Sequence, residues 1–281
     1  IAPRKPLPCK IRTQTRLFPH NGTYRQANTQ QNKRHMTTPS LKESIYGYNR
    51  KNTPHKLAPS AALIDMDGTL YNSMPNHAKA WHRTISELGI SCTLEEFFLY
   101  EGRTGTDTIN LIWNRAFGKD ADPEEAARIY DKKAAYFAQM GIPGTITGAQ
   151  SAVAALIDRN ITTVLVTGSG QPSTLQRLDT DFPNAFPTHR RITSASVTHG
   201  KPHPEPFQKA MQLANVKPWQ CIAIDNAPLG VESAAKAGAF TIGIVTGPIQ
   251  VSDLYNAGAD IVFTSMQELT EKLTELLDHQ L

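Results

Sequence analysis

From Ala61 onward, short apolar runs alternate with stretches whose apolar positions recur at helical spacing. Ala61-Ala62-Leu63-Ile64 is the first run. It stops at acids and a glycine, as a buried parallel strand does where it opens into a loop. Comparable runs occur at 162–166, 221–224, 240–245 and 260–263. Between them the periodicity predicts helices near 149–159, 172–180, 204–215, 228–237, 250–257 and 266–278. Strand and helix in alternation predict an α/β fold, a doubly wound parallel sheet with right-handed crossovers.

One stretch breaks the alternation. Residues 74–143 hold no convincing strand but four helical patterns, near 76–88, 93–99, 105–117 and 123–139. Asp122-Pro123-Glu124-Glu125 starts the last of these, with a capping acid and a proline in the first turn. An inserted α-helical cap over 74–143 is therefore expected, hinged to a core of residues 59–73 and 144–281 and rejoining it near Gly141-Ile142-Pro143-Gly144.

The first 58 residues are rich in Pro, Asn, Gln, Thr and Arg and sustain no apolar period, so the segment reads as non-core. It carries twelve Lys/Arg and one acid, Glu43, a charge of about +11 within a whole-chain charge of +4. The rest of the chain is thus acidic, and the basic overall balance is no argument for nucleic-acid binding by the folded part. Three readings of the segment stay open: sequence upstream of a start near Met36, a solvated basic tail, or an organelle transit peptide. Cys9, Cys92 and Cys221 match no metal or redox spacing, and no apolar run approaches a membrane span. A cytoplasmic enzyme, monomeric by default, with no nucleic-acid or membrane partner is the expectation.

Four strand ends, where ligands of open parallel sheets bind, carry polar residues suited to one reaction. Asp65 and Asp67 follow the first run, and Thr167-Gly168-Ser169-Gly170 the second. Lys201 precedes a helix, and Asp225-Asn226 ends a further strand. Singly these are a turn, a loop, a solvated charge and a helix cap. In this order, each at a strand end, they make a phosphate and magnesium site, with hard oxygen ligands for the cation and positive donors for phosphoryl oxygens.

With these residues in place, the chain from about residue 60 to its end resembles the haloacid dehalogenase superfamily. The likeness is to the branch with a helical cap that contains β-phosphoglucomutase-like proteins and small-molecule phosphatases. The resemblance implies a Rossmann-like core in which Asp65 attacks phosphorus to form an aspartyl-phosphate. Asp67 would protonate the leaving group and later deprotonate water. Thr167, with the amides of Gly168 and Ser169, would hold the phosphoryl oxygens, and Lys201 would neutralise Asp65. Magnesium would be held by Asp65, the Asp67 carbonyl and the 225–226 pair. His77, where the chain enters the cap, matches a proton-relaying histidine of mutase-like members.

Two departures shift the expected function. The last motif ends in Asn226 where the branch usually has an acid, which leaves the site one negative charge short. Glu101, in Tyr100-Glu101-Gly102-Arg103-Thr104-Gly105, stands where mutases have a lysine, and Gly105 where they have a phosphate-gripping arginine. The expectation is that Glu101 joins the metal shell, restores the charge and opposes a second dianionic group, while Arg103 grips a distal phosphate. The resemblance then narrows to a subgroup that includes pyrophosphatases. The leading function is magnesium-dependent hydrolysis of inorganic pyrophosphate or a small phosphate monoester. A β-phosphoglucomutase-type transferase, and a phosphate-binding protein without turnover, are the alternatives.

Overall fold

The computed structural model describes residues 38–278 except 142 and 171. The readings of residues 1–37, Met36 and Cys9 included, and the middle of the expected hinge lie outside the described residues. Six strands form one parallel sheet: β1 (Ala61–Ile64), β2 (Thr162–Val166), β3 (Arg191–Ile192), β4 (Cys221–Asp225), β5 (Phe240–Ile244) and β6 (Ile261–Phe263). Their spatial order is β3-β2-β1-β4-β5-β6. The chain winds outward from β1 through β2 to β3, then returns to the other side of β1 for β4. That reversal puts the topological switch point between β1 and β4, where Asp65 and Asp225 emerge.

Every residue of β1, β4 and β5 is buried, because helices cover both faces. Ala62 and Ile64 pack with α6 (Ala149–Asp158), α7 (Pro172–Asp181) and α11 (Met266–Asp278). Ala61 and Leu63 point the other way, onto α8 (Glu205–Ala214) and α9 (Pro228–Ala237). This period-two division is what a two-sided buried strand requires. Strand β3, only two residues long, has no counterpart in the apolar pattern.

The inserted segment is helical throughout its regular parts: α2 (Met74–Ser86), α3 (Glu96–Leu99), α4 (Gly105–Phe117) and α5 (Pro123–Gln139). It has its own apolar cluster, which includes Trp81, Ile85, Phe97, Ile109 and Ile112. Asp122 caps α5 by accepting from Glu124 N, and Thr104 caps α4 by accepting from Asp107 N. Its entry and exit strands run side by side: Tyr71 and Thr145 form an antiparallel bridge, and Asn72 N donates to Gly144 O at 2.9 Å.

The non-core assignment of residues 1–58 is corrected over 41–57. Leu41–Lys51 is a helix, α1, opened by a capping box in which Ser40 and Glu43 bond each other's backbone. Leu41, Ile45 and Tyr48 recur at i, i+4 and i+7 and join the main core cluster, with Leu57 beyond the helix. The Tyr48 ring meets Phe240 edge-on at 5.4 Å, and its hydroxyl donates to Gly238 O at 2.7 Å. Polar composition outweighed this three-residue stripe because the rest of the helix is charged or polar. If α1 belongs to the core, Ile45→Ala should lower unfolding free energy by about 2–4 kcal/mol in urea melts of the full chain. A change below about 0.5 kcal/mol, as for a surface position, would contradict that placement.

Candidate active site

Asp65 leaves the end of β1 buried, and Lys201 Nζ donates to its Oδ1 at 2.6 Å. The same ammonium donates to Asp225 Oδ2 at 2.7 Å and to the Val166 carbonyl at 3.1 Å. One lysine thus ties together the ends of β1, β2 and β4. Burial pushes the Asp65 carboxyl up, against the pull of Lys201, with Asp225 and Asp67 adding to the rise. The two neighbouring carboxylates outweigh burial at Lys201 and hold it charged, with its pKa raised. Asp65 Oδ2 is buried and finds no hydrogen-bond partner among the described residues.

Asp67, two residues on, is surrounded by donors. Ser73 Oγ donates to Oδ1 at 2.6 Å, His77 Nε2 lies 3.0 Å from the same oxygen, and Thr167 Oγ1 donates to Oδ2 at 3.3 Å. Burial alone would raise this carboxyl, but His77, Ser73 and Lys133 together bring it below the ordinary range. Lys133 Nζ lies 2.7 Å from His77 Nδ1. An ammonium donating there leaves Nδ1 as acceptor, so Nε2 carries the proton that reaches Asp67. Burial, then Lys133, lowers the pKa of His77, which keeps the ring neutral.

Gly68 turns the loop with φ +83°, and a Cβ there would overlap Asn226 Nδ2 and lie 2.6 Å from Glu101 Oε1. The missing side chain lets both groups reach the carboxylates. Asn226 Nδ2 donates to Glu101 Oε1 at 3.0 Å, and its Oδ1 accepts from Thr69 Oγ1 at 3.0 Å. Glu101 is 7% exposed, so it is no surface glutamate beside a turn. Burial, with Asp65 next, drives its pKa well up.

The structure brings Asp65, Asp67, Thr167, Lys201, His77, Glu101, Asp225 and Asn226 together beyond the ends of β1, β2 and β4. Arg103 and Gly168 line the same cavity, with the main chain of Gly102 and Arg103 against Gly168. Two details differ from the expectation. The Ser169 amide donates to Thr167 Oγ1 at 2.9 Å and so does not stand free for a phosphoryl oxygen. Both Asp225 oxygens are engaged, one by Lys201 and the other by Ala227 N at 3.0 Å, so Asp225 orients the lysine and leaves the amide pair position to Asn226.

Lys133, Ser73 and Tyr130 were not anticipated. For Lys133 a signal existed: it shares the face of Ala126, Ile129 and Phe137, the buried positions of α5. A lysine on an apolar stripe is a candidate for a buried partner.

A magnesium ion fits this donor set. The Asp65 and Glu101 carboxylates, Asn226 and the main chain at Asp67 offer oxygen donors, which suit a hard cation. Among the described residues no three His, Cys, Asp or Glu side chains make a ready cage, which agrees with a site that mixes carboxylate, amide and carbonyl oxygens.

A parallel sheet of this order, with an acid pair beyond β1 and a lysine clamped between two carboxylates, defines a hydrolase of the haloacid dehalogenase type. The chain belongs to that family: the model for haloacid dehalogenase-like hydrolases matches residues 59–238. It is 30% identical over 187 residues to validoxylamine A 7'-phosphate phosphatase of Streptomyces hygroscopicus subsp. limoneus, spanning 66% of this chain and 85% of the relative. It is 24% identical over 221 residues to β-phosphoglucomutase of Bacillus subtilis, spanning 76% and 92%. Among solved structures, a candidate β-phosphoglucomutase from Bacteroides vulgatus superposes with a TM-score of 0.81 at 37% identity, covering 84% of this chain and 96% of that one. No helix among the described residues is long and apolar enough to cross a membrane.

Burial lowers the Lys133 pKa from 10.5 to about 8, with Asp67 opposing. Between those values the unfolded chain holds a proton that the folded chain has released, so stability rises with pH across that window. Relative to Lys133→Met, the wild type should gain up to about 3 kcal/mol of unfolding free energy between pH 8 and 10.5. Parallel pH profiles in chemical denaturation would contradict this.

Proposed function

We propose that the chain is a phosphohydrolase that works through an aspartyl-phosphate on Asp65 and acts on a compact substrate, inorganic pyrophosphate or a small phosphate monoester. The observation that carries the reading is the asymmetric state of Asp65. Lys201 fixes Oδ1 at 2.6 Å, while Oδ2 is buried and unpartnered in the wall of the cavity. That oxygen is the nucleophile. It attacks phosphorus, the bond to the leaving group breaks, and water later attacks the phosphoryl group to restore Asp65.

Asp67 handles the proton. Its donors favour the carboxylate, the form that takes a proton from the attacking water. A leaving group that departs as an already stable anion therefore suits the site better than one that needs a proton from Asp67. Phosphate leaving from pyrophosphate meets that condition most fully, and the alkoxide of a monoester meets it less well. Lys133 and Arg103 supply cations on the wall facing the leaving group, where Glu101 alone would repel it. Bound magnesium, held by Asp65, Glu101, Asn226 and the Asp67 carbonyl, would neutralise charge between the anionic carboxylate and the anionic phosphate. Residues 74–139 would then act as the cap.

In a phosphate-release screen, the wild type should cleave pyrophosphate or a small monoester only with magnesium, and Asp65→Asn should lose at least about 10³-fold in turnover. Release that survives in Asp65→Asn would sink the nucleophile assignment. Sugar and hexitol phosphates belong in the same screen, because relatives are named for them: hexitol phosphatase A of Escherichia coli and 2-deoxyglucose-6-phosphate phosphatase 1 of Saccharomyces cerevisiae. Glu101→Gln should raise the magnesium concentration for half-maximal rate about tenfold or more. Unchanged turnover and magnesium dependence in that variant would remove Glu101 from the metal shell.

A further inference from the structure

Two cavities meet between the helical block and the sheet. The inner one is lined by Asp65, Asp67, His77 and Lys133, is partly open, and has a volume of about 60 Å³. A water-sized group needs about 10–15 Å³ on this measure, so the chamber admits a phosphoryl group and little more. The outer cleft is larger, about 360 Å³, and hydroxyls line it from both sides: Thr104 and Thr106 on the block, Ser194 and Thr198 on the core. Gly105 and Tyr130 are the two residues that the walls of both cavities share.

Tyr130 projects from α5 across this boundary. A Cβ on Gly105 would overlap Cδ2 and Cε2 of the ring, so residue 105 has no side chain and the phenol takes its space. The hydroxyl end reaches the loop after β2, where a Cβ on Gly170 would lie 3.9 Å from it. Packing keeps the ring in place: Trp81 lies 6.3 Å away centroid to centroid, and Lys133 Nζ sits 5.8 Å over its face. The side chain therefore bridges from the helical block to the core and separates a small charged chamber from a larger polar cleft.

We propose that Tyr130 determines specificity as a partition: its ring closes the chamber against the outer cleft and restricts the leaving group to about the size of phosphate. Without the ring the two spaces join, and the hydroxyl-lined cleft can receive a polyol. The proposal rests on the phosphohydrolase reading for its kinetic test, and on geometry alone for its binding test. A pocket that rejects by volume discriminates by about 10–200-fold for a small group, more as the excluded group grows.

Two measurements on the full chain decide it. The first compares kcat/KM for glucose 6-phosphate and for pyrophosphate. Tyr130→Ala should raise the ratio of the two at least about tenfold, and Tyr130→Phe, which keeps the ring, should leave it within about twofold. The second compares Kd for glucose 6-phosphate and for inorganic phosphate by calorimetry in the Asp65→Asn background, where Tyr130→Ala should lower the ratio of the first to the second at least about tenfold and Tyr130→Phe should leave it within about twofold. Tyr130→Leu replaces the alanine variant if that one fails to fold. An unchanged ratio in both measurements, with circular dichroism intact, overturns the partition. If the wild type releases no phosphate from any substrate, the phosphohydrolase reading fails and the binding ratio alone decides for or against the partition.

Discussion

The site depends on one buried ammonium. Lys201 is 2% exposed and bonds carboxylates from two neighbouring strands, Asp65 and Asp225, which are 4% and 1% exposed. Removing such charges from water costs several kcal/mol per ion, and only close, well-bonded counter-charges offset it. Deleting the lysine would leave two buried acids facing each other, a loss of about 3–5 kcal/mol. The arrangement is therefore poor as a source of stability and good as a means of orientation. It presents one oxygen of Asp65 and leaves the other without a partner. It also follows from topology, since β1 and β4 are adjacent only because the winding reverses there.

Around that centre the two parts of the chain divide the chemistry. The core supplies Asp65, Lys201, Thr167 and Asn226. The helical block supplies His77 and Lys133 against Asp67, Glu101 against Asn226, and the Tyr130 ring in the cavity wall. Asn226 and Glu101 are coupled through a direct bond over Gly68, so the amide at one position and the acid at the other form one pair. On the proposed reading the core sets the class of reaction, and the block sets which phosphorylated group reaches it.

How legible this was differs from residue to residue. The strands β1, β2, β4, β5 and β6 were readable because burial makes them continuous apolar runs, and β1 and β4 also run into acids. Strand β3 was not, because two residues carry no period. Helix α1 hid behind composition: its capping box Ser40-x-x-Glu43 and the Leu41, Ile45, Tyr48 stripe were present, but basic and amide residues dominated the wider segment. Asp65, Asp67, Thr167 and Lys201 were legible from order and spacing. Lys133 was not, since a lysine defaults to the surface, and its burial depends on an imidazole 56 positions away in sequence. The pairing of Gly105 with Tyr130 is likewise a tertiary contact, visible in neither residue alone.

The central claim is that the Asp65 carboxylate itself takes the phosphoryl group. It is tested most directly by acid-quenching the enzyme during turnover, reducing with borohydride and sequencing the peptide that contains residue 65 by mass spectrometry. An acyl phosphate at Asp65 predicts conversion of that residue to homoserine, dependent on substrate. Phosphate release with Asp65 unmodified, or with the label on another carboxylate, would contradict the account.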